Sequence, residues 1–288
     1  MTFNDDADIS KGRVSRRAKT GIALGGGGGL IGIVVLIVAL AGGPDLTGLV
    51  EGVGGGGSGG EDTAVGCTSG EEANESVDCR MQGAYASLDD YWASQVEGYR
   101  SPADFVLFTG SVNTGCGSAS SAVGPFYCPP DETIYLDTGF FDELTSLGGS
   151  SAPLAQLYVV AHEWGHHIQN IVGQMDGLDT SATGPDSDGV RLELQADCYA
   201  GAWVGAAEDT VDDQGNRYLD PITDDQLAEA LATAQAIGDD RIQETTQGQV
   251  NPETWTHGSS EQRQRWFEVG RTKGPQACDT FSIPGSRL

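Results

Sequence analysis

Ala161-His162-Glu163-Trp164-Gly165-His166-His167-Ile168-Gln169-Asn170 is the stretch on which the fold and the chemistry turn. It lies inside a run, Pro153 to Val172, that has the marks of a helix. Ser150 and Ser151 offer caps, Pro153 suits a first turn, and Gly173 supplies a stop. Leu154, Leu157, Tyr158, Ala161 and Ile168 give this helix a buried stripe. Residues four apart lie one above the other on a helix face, so His162 and His166 point the same way. Both imidazoles can then reach one zinc ion at about 2.0–2.1 Å. Glu163 stands one step round, beside the metal, where a carboxylate can take a proton from metal-bound water. The competing reading is a helix whose histidines merely border a buried face. Three of the chain's four histidines fall within six positions, which argues against it. His167 points roughly 100° away from His166 and reads as a supporting or surface residue, not a ligand.

A zinc-hydrolase site wants a third protein ligand and an open fourth position. Glu193, in Arg191-Leu192-Glu193-Leu194-Gln195-Ala196-Asp197, is the best candidate. It falls on a separate predicted helix, Gly189 to about Ala207. Asp197 is four positions later on the same face, placed to accept the spare N–H of a zinc histidine and fix its tautomer. Asp197 as the ligand is the rival assignment. A solvated acidic face is the plain alternative, but Leu192, Leu194, Ala196, Cys198, Tyr199 and Trp203 make this helix largely apolar. Acids buried there need partners.

His257 precedes Ser259-Ser260-Glu261-Gln262, a capping box that opens a helix ending near Gly270. A positioned imidazole at 257 can stabilise the oxyanion formed during attack on a carbonyl. The alternative is a loop histidine held by backbone. Arg263 and Arg265 can orient acids or substrate, and serve equally as charge partners in an acidic body.

Further helices are expected over Met81–Val96, with Tyr85, Leu88, Trp92 and Val96 on one face, and from the Thr223-to-Gln226 capping box to about Gly238. Strand candidates are few: Asp104–Phe108 and Glu132–Leu136. Pro129 and Pro130 precede the second, which reads as an edge strand open to pairing with an extended substrate. The expected fold class is α+β, a mostly helical body with a small sheet.

The runs His162–Asn170, Arg191–Cys198 and His257–Arg263 resemble those of the bacterial neutral zinc metallopeptidase family. Gly124-Pro125-Phe126-Tyr127-Cys128-Pro129 and Phe140-Phe141-Asp142-Glu143-Leu144 are similar to further segments of it. The resemblance covers roughly residues 78 to 284. It implies a zincin-like fold and a membrane-associated or exported peptidase, since members share a basic N-terminus, a Gly-rich stretch and one apolar segment.

The net charge is −27, from 15 Lys+Arg and 42 Asp+Glu. Residues 1–20 carry about +2, so the remainder carries about −29. Such a body repels phosphate backbones, and nucleic acid is not an expected partner. Gly21 to Gly43 holds no charged residue, long enough for one membrane-spanning helix. The basic stretch before it favours an uncleaved anchor, while Ala39-Leu40-Ala41 has the form of a signal cleavage site. Either way residues beyond 43 face outward. The expected layout is a basic cytoplasmic tail (1–20), a transmembrane anchor or signal (21–43), a Gly-rich linker (44–60) and one catalytic domain (61–288), at the cell membrane or, if cleaved, secreted. Six cysteines suit an oxidising compartment, although six allow 15 pairings. Cys67 with Cys79 and Cys116 with Cys128 would close short loops, and Cys198 with Cys278 would tie the tail to a helix.

The combined expectation is a zinc-dependent endopeptidase: His162, His166 and Glu193 on Zn2+, Glu163 as base, His257 as helper, Asp197 behind a ligand, and a peptide or protein as substrate. Two rivals stand beside it. One is a zinc amidase acting on cell-wall peptides. The other is a catalytically silent scaffold whose zinc is structural.

Overall fold

The computed structural model describes residues 2–17 and 62–288. Along the chain, β1 (Ser15–Arg17) and β2 (Asp62–Ala64) precede helices α1 (Gly70–Glu75) and α2 (Val77–Gln95). The strands β3 (Asp104–Phe108), β4 (Ser111–Thr114), β5 (Gly117–Ser120), β6 (Phe126–Cys128) and β7 (Thr133–Asp137) follow. Helices α3 (Phe140–Ser146), α4 (Pro153–Ile171), α5 (Asp188–Ala206), α6 (Asp224–Ala236), α7 (Asp239–Gln247) and α8 (Ser260–Lys273) complete the body. The class is α+β, as expected.

Five strands form one mixed sheet in the order β2-β1-β3-β7-β6, and β4 and β5 form a separate hairpin. The pleat sorts the sheet's side chains to two faces. Phe105, Leu107, Ile134 and Leu136 join the main helical core. Val106, Phe108 and Tyr135 face the other way, onto Val112 and Ala119 of the hairpin. The helix carrying the histidines is buried almost all round. Trp164 meets Tyr85 of α2 edge to face at 5.0 Å. Leu154, Leu157, Tyr158 and Val160 fill the space beneath the sheet, each apolar side chain contributing about 1.5–3 kcal/mol on burial. His162 and His166 therefore sit on a helix packed on nearly every side.

Helix ends largely follow the sequence signals. The capping boxes at Thr223/Gln226 and Ser259/Gln262 both form, and Pro153 occupies the first turn of α4. There the cap itself is Ala152, not Ser150 or Ser151. All three disulfides, Cys67–Cys79, Cys116–Cys128 and Cys198–Cys278, are those considered from spacing.

Two expectations are corrected. The Thr133–Asp137 strand is not an edge: β3 pairs with it on one side and β6 on the other. Pro129 and Pro130 form the turn joining β6 to β7, so they end a hairpin strand and do not mark an open flank. The edge beside the helices is Phe126–Cys128. The folded body also reaches beyond residues 61–288. Residues 2–17, expected as a tail, pack into the main core through Phe3, Ala7, Ile9 and Val14, and β1 lies inside the sheet between β2 and β3. The basic residues Lys11, Arg16 and Arg17 pair with Asp90, Asp78 and Asp62. Their charge serves attachment to the acidic body.

The apolar run 21–43 and the linker 44–60 lie outside the described residues. Among the described residues no helix is long and apolar enough to cross a membrane.

Candidate metal centre

Helices α4 and α5 run close together because Gly165 has no side chain. A Cβ there would stand 2.9 Å from Ala196 Cα, closer than packed carbons approach. That contact lies between the two functional faces, with His162 and His166 on one helix and Glu193 and Asp197 on the other.

Three side chains converge. His162 Nε2 is 3.1 Å from Glu193 Oε2, and His166 Nε2 is 3.4 Å from Glu193 Oε1. One ligand atom from each of the three lies within 4.8 Å of the others. The remaining ring nitrogens are engaged. His162 Nδ1 donates to Asp197 Oδ1 at 2.9 Å, and His166 Nδ1 donates to Gln169 Oε1 at 2.9 Å. With both Nδ1 atoms so occupied, both Nε2 atoms are left to a metal. Two imidazoles and a carboxylate with fixed tautomers are a donor set that suits zinc. Among the described residues this is the one such cluster.

Asp197 is fully buried and its carboxylate accepts four hydrogen bonds. It accepts from Tyr158 Oη at 2.5 Å, from His162, and from Arg263 Nε and Nη2 at 2.9 and 3.0 Å. Arg263 is itself buried and also reaches Tyr158 Oη at 3.3 Å. Burial alone would raise the Asp197 pKa, but the Arg263 guanidinium and His162 hold it below the usual carboxylate range. Burial alone would lower His162, yet Asp197 and Glu193 push it up to about 10. Glu193 is depressed despite burial, by His166, His257 and His162. The carboxylates thus stabilise positive charge at the imidazoles, and a dication at the Nε2 positions would answer the same field while displacing a proton.

His257 faces the same cavity. Its Nδ1 lies 3.3 Å from Asp239 Oδ1, and the other Asp239 oxygen accepts the backbone N–H groups of Thr256, His257 and Gly258 at 2.7, 2.6 and 3.1 Å. Burial alone would lower the His257 pKa, but Glu193 and Asp239 raise it above its ordinary value. Glu163 lies on the wall beside His162 and is nearly buried, at 9% exposure. The cavity they share is about 610 Å³, with Phe126, Val159, Met175, Leu178 and Ile242 among its apolar lining.

His167 is neither a ligand nor a surface residue. It is fully buried, bonded to Tyr127 Oη at 3.1 Å and to the Arg100 carbonyl at 2.8 Å. It fastens α4 to the edge strand and to the loop before β3. Arg265 lies away from the site, on Glu261 and the Leu288 carbonyl.

Two supporting residues escaped the sequence reading. Gln169 orients His166 while its amide donates to the Leu192 carbonyl at 2.7 Å. It is three positions beyond His166, a spacing that faces it on a helix. Asp239 gave no signal, because its value to His257 depends on a turn between distant segments.

Comparison with known proteins agrees with this geometry. The family model described as "Putative neutral zinc metallopeptidase" matches residues 3–281. An uncharacterised protein of Mycobacterium tuberculosis is 52% identical over 219 residues, covering 75% of this chain and 74% of that protein. The uncharacterised protein YpfJ of Escherichia coli K12 is 40% identical over 267 residues, covering 89% of this chain and 87% of its own length. No solved structure matches the chain. With nearly the whole sequence matched, and the motif histidines standing against Glu193, the chain belongs to the neutral zinc metallopeptidase family.

Proposed function

We propose that this protein is a zinc-dependent endopeptidase of zincin-like architecture, with His162, His166 and Glu193 as the zinc ligands. The observation that carries the reading is the convergence of two Nε2 atoms and one carboxylate beside Glu163, on the wall of a cavity large enough for a peptide segment. Zinc held by these donors supplies a Lewis acid that polarises a carbonyl and acidifies water. Glu163 takes a proton from the attacking water and passes it to the leaving amine. His257, fixed through Nδ1 by Thr256 Oγ1 at 2.9 Å and by Asp239, turns Nε2 to the oxygen that gains charge as the carbonyl is attacked. Asp197 and Gln169 hold the two ligand rings, and Arg263 holds Asp197. An extended peptide pairs with the open edge of β6, whose Phe126 and Tyr127 line the cavity.

Three donors converge among the described residues, where a structural zinc site closes with four. That favours catalysis over the scaffold reading. The disulfides favour an oxidising compartment and so a body outside the cytoplasm.

The test is a chelator-sensitive assay of the purified full chain on an unstructured protein and, in parallel, on cell-wall peptide. Endoproteolysis that zinc restores after chelation, and that Glu163→Gln abolishes with zinc still bound, supports the proposal. Release of cell-wall fragments without endoproteolysis would replace it by the amidase reading. A zinc-loaded protein that cleaves neither would leave the scaffold.

A further inference from the structure

We infer that residues 2–17 lie on the same side of any membrane as the catalytic body, so that no single bilayer crossing separates Arg17 from Asp62.

The attachment of this arm is extensive and shaped on both sides. Phe3 is fully buried, and its ring lies 2.6 Å from where a Cβ on Gly83 would stand. A Cβ on Gly70 would come within 1.8 Å of the Asn4 carbonyl oxygen. At both places the body has glycine where any other residue would push the arm away. Asn74 receives the backbone N–H groups of Thr2 and Phe3 at 3.1 and 3.0 Å and donates to the Phe3 carbonyl at 2.8 Å. Gln82, also buried, donates to the Ile9 carbonyl at 3.0 Å. The arm then supplies an inner strand, with Ser15, Arg16 and Arg17 opposite Ala64, Thr63 and Asp62. Without it β3 would lose one neighbour and β2 its only one. The family match itself begins at residue 3.

The topological consequence is direct. Arg17 and Asp62 are paired strand neighbours and share an ion pair at 2.9 Å. A single crossing would separate them by a hydrocarbon layer of about 30 Å. Two crossings need about 40 apolar residues, and the uncharged run from Gly21 to Gly43 has 23. Signal cleavage after Ala41 would equally leave the arm behind on the far side. Both expected arrangements, a cytoplasmic tail before an anchor and a removed signal, are therefore incompatible with the packed arm.

The six native cysteines are all paired, so an added cysteine is the one free thiol. Ser10 on the arm and Ala93 on α2 are exposed. Full-length Ser10→Cys and Ala93→Cys proteins, expressed separately, are treated in intact cells with a membrane-impermeant maleimide, with lysed cells as the reference. We expect the ratio of intact to lysed labelling to be the same for both, near one or near zero together. Labelling of one position with protection of the other overturns the inference. Contact is read separately in a Ser15→Cys/Ala64→Cys protein, where peptide mapping under non-reducing conditions should find residues 15 and 64 cross-linked. Absence of that cross-link, with the three native disulfides intact, overturns it as well.

Discussion

Asp197 is the residue at which stability and metal affinity can be separated. Truncation to alanine leaves the Arg263 guanidinium buried with no carboxylate. Arg263 is 2% exposed, and its remaining acceptors are the Ile237 carbonyl and the Tyr158 hydroxyl. Breaking one partner of such a buried pair costs about 3–5 kcal/mol. For a body of this size each kcal/mol lowers Tm by about 2–4 °C, so a fall of about 6–20 °C is expected. Asp197→Ala also releases His162 Nδ1, and loss of a group that orients a metal ligand weakens binding by about 10–100-fold. The two effects part in a double variant. Asp197→Leu/Arg263→Met replaces the ion pair by apolar groups, which is often neutral for stability, so Tm should recover most of the loss while zinc affinity stays low. The assays are thermal unfolding of the apoprotein and zinc competition against a chromophoric chelator. Unchanged zinc affinity in both variants would refute the positioning role. Complete loss of zinc binding in a folded double variant would instead make Asp197 a ligand and refute the assignment of Glu193.

Glu163→Gln should lower kcat by about 100–10,000-fold, the range for a lost general base, while zinc content by metal analysis stays at wild-type level. His257→Ala should lower kcat by about 100–1,000-fold with little change in KM, as for a lost oxyanion donor; a change confined to KM would make His257 a substrate-binding residue. Asp239→Ala should destabilise the protein by about 1.5–3 kcal/mol at pH 7, because its carboxylate accepts several hydrogen bonds. Burial alone would raise the Asp239 pKa, but His257 and the backbone N–H groups hold it below its ordinary 3.8. A carboxylate depressed in the folded state adds stability above its unfolded pKa and loses it as pH falls through the folded value. Denaturation midpoints of wild type and Asp239→Ala should therefore converge below about pH 3.8, and a constant gap down to pH 2 would count against this source of stability. Phe3→Ala should cost about 3–5 kcal/mol by emptying a core position; a cost under about 0.5 kcal/mol in urea unfolding would mean the arm does not hold the body.

Much of the helical frame was legible because its signals are local. Apolar positions spaced three and four apart and capping boxes are both local, and the helices at Val77–Gln95, Pro153–Ile171, Asp188–Ala206, Asp224–Ala236 and Ser260–Lys273 carry one or both. Asp239–Gln247 was missed because Ile242 is its one large apolar residue and none of it is buried. The Ser111–Ser120 hairpin was missed because polar and small residues fill it, with only Val112 and Ala119 turned to the sheet. Sheet order was the hardest part. Whether Thr133–Asp137 is inner or outer depends on Phe126–Cys128 folding back on it, and Pro129 and Pro130 between them point to an edge when read alone. The arm reads as a tail for a similar reason. Five basic residues before an apolar run match the pattern of a cytoplasmic flank, and the acidic partners that explain three of them lie 45–79 positions away.

The site follows the same division. His162, Glu163 and His166 come from one turn of one helix, so spacing alone brought them together. The same rule put Glu193 and Asp197 on one face of the second helix, with Glu193 read as the ligand and Asp197 as its rival. Contacts from a third helix favour Glu193. Arg263 enters from α8 and donates two bonds to Asp197, Tyr158 Oη donates a third and His162 Nδ1 a fourth. Both oxygens of Asp197 are engaged by these donors, whereas both oxygens of Glu193 face the Nε2 atoms. An Arg263→Lys protein tests that ranking without touching either acid. A lysine donates from one nitrogen and cannot reproduce the forked contact. It should loosen Asp197, lower zinc affinity by less than Asp197→Ala does, and leave Glu193 as the ligand. If the Arg263→Lys protein bound zinc more tightly than wild type, the arginine would be competing with the metal for Asp197, and the ranking would be reversed.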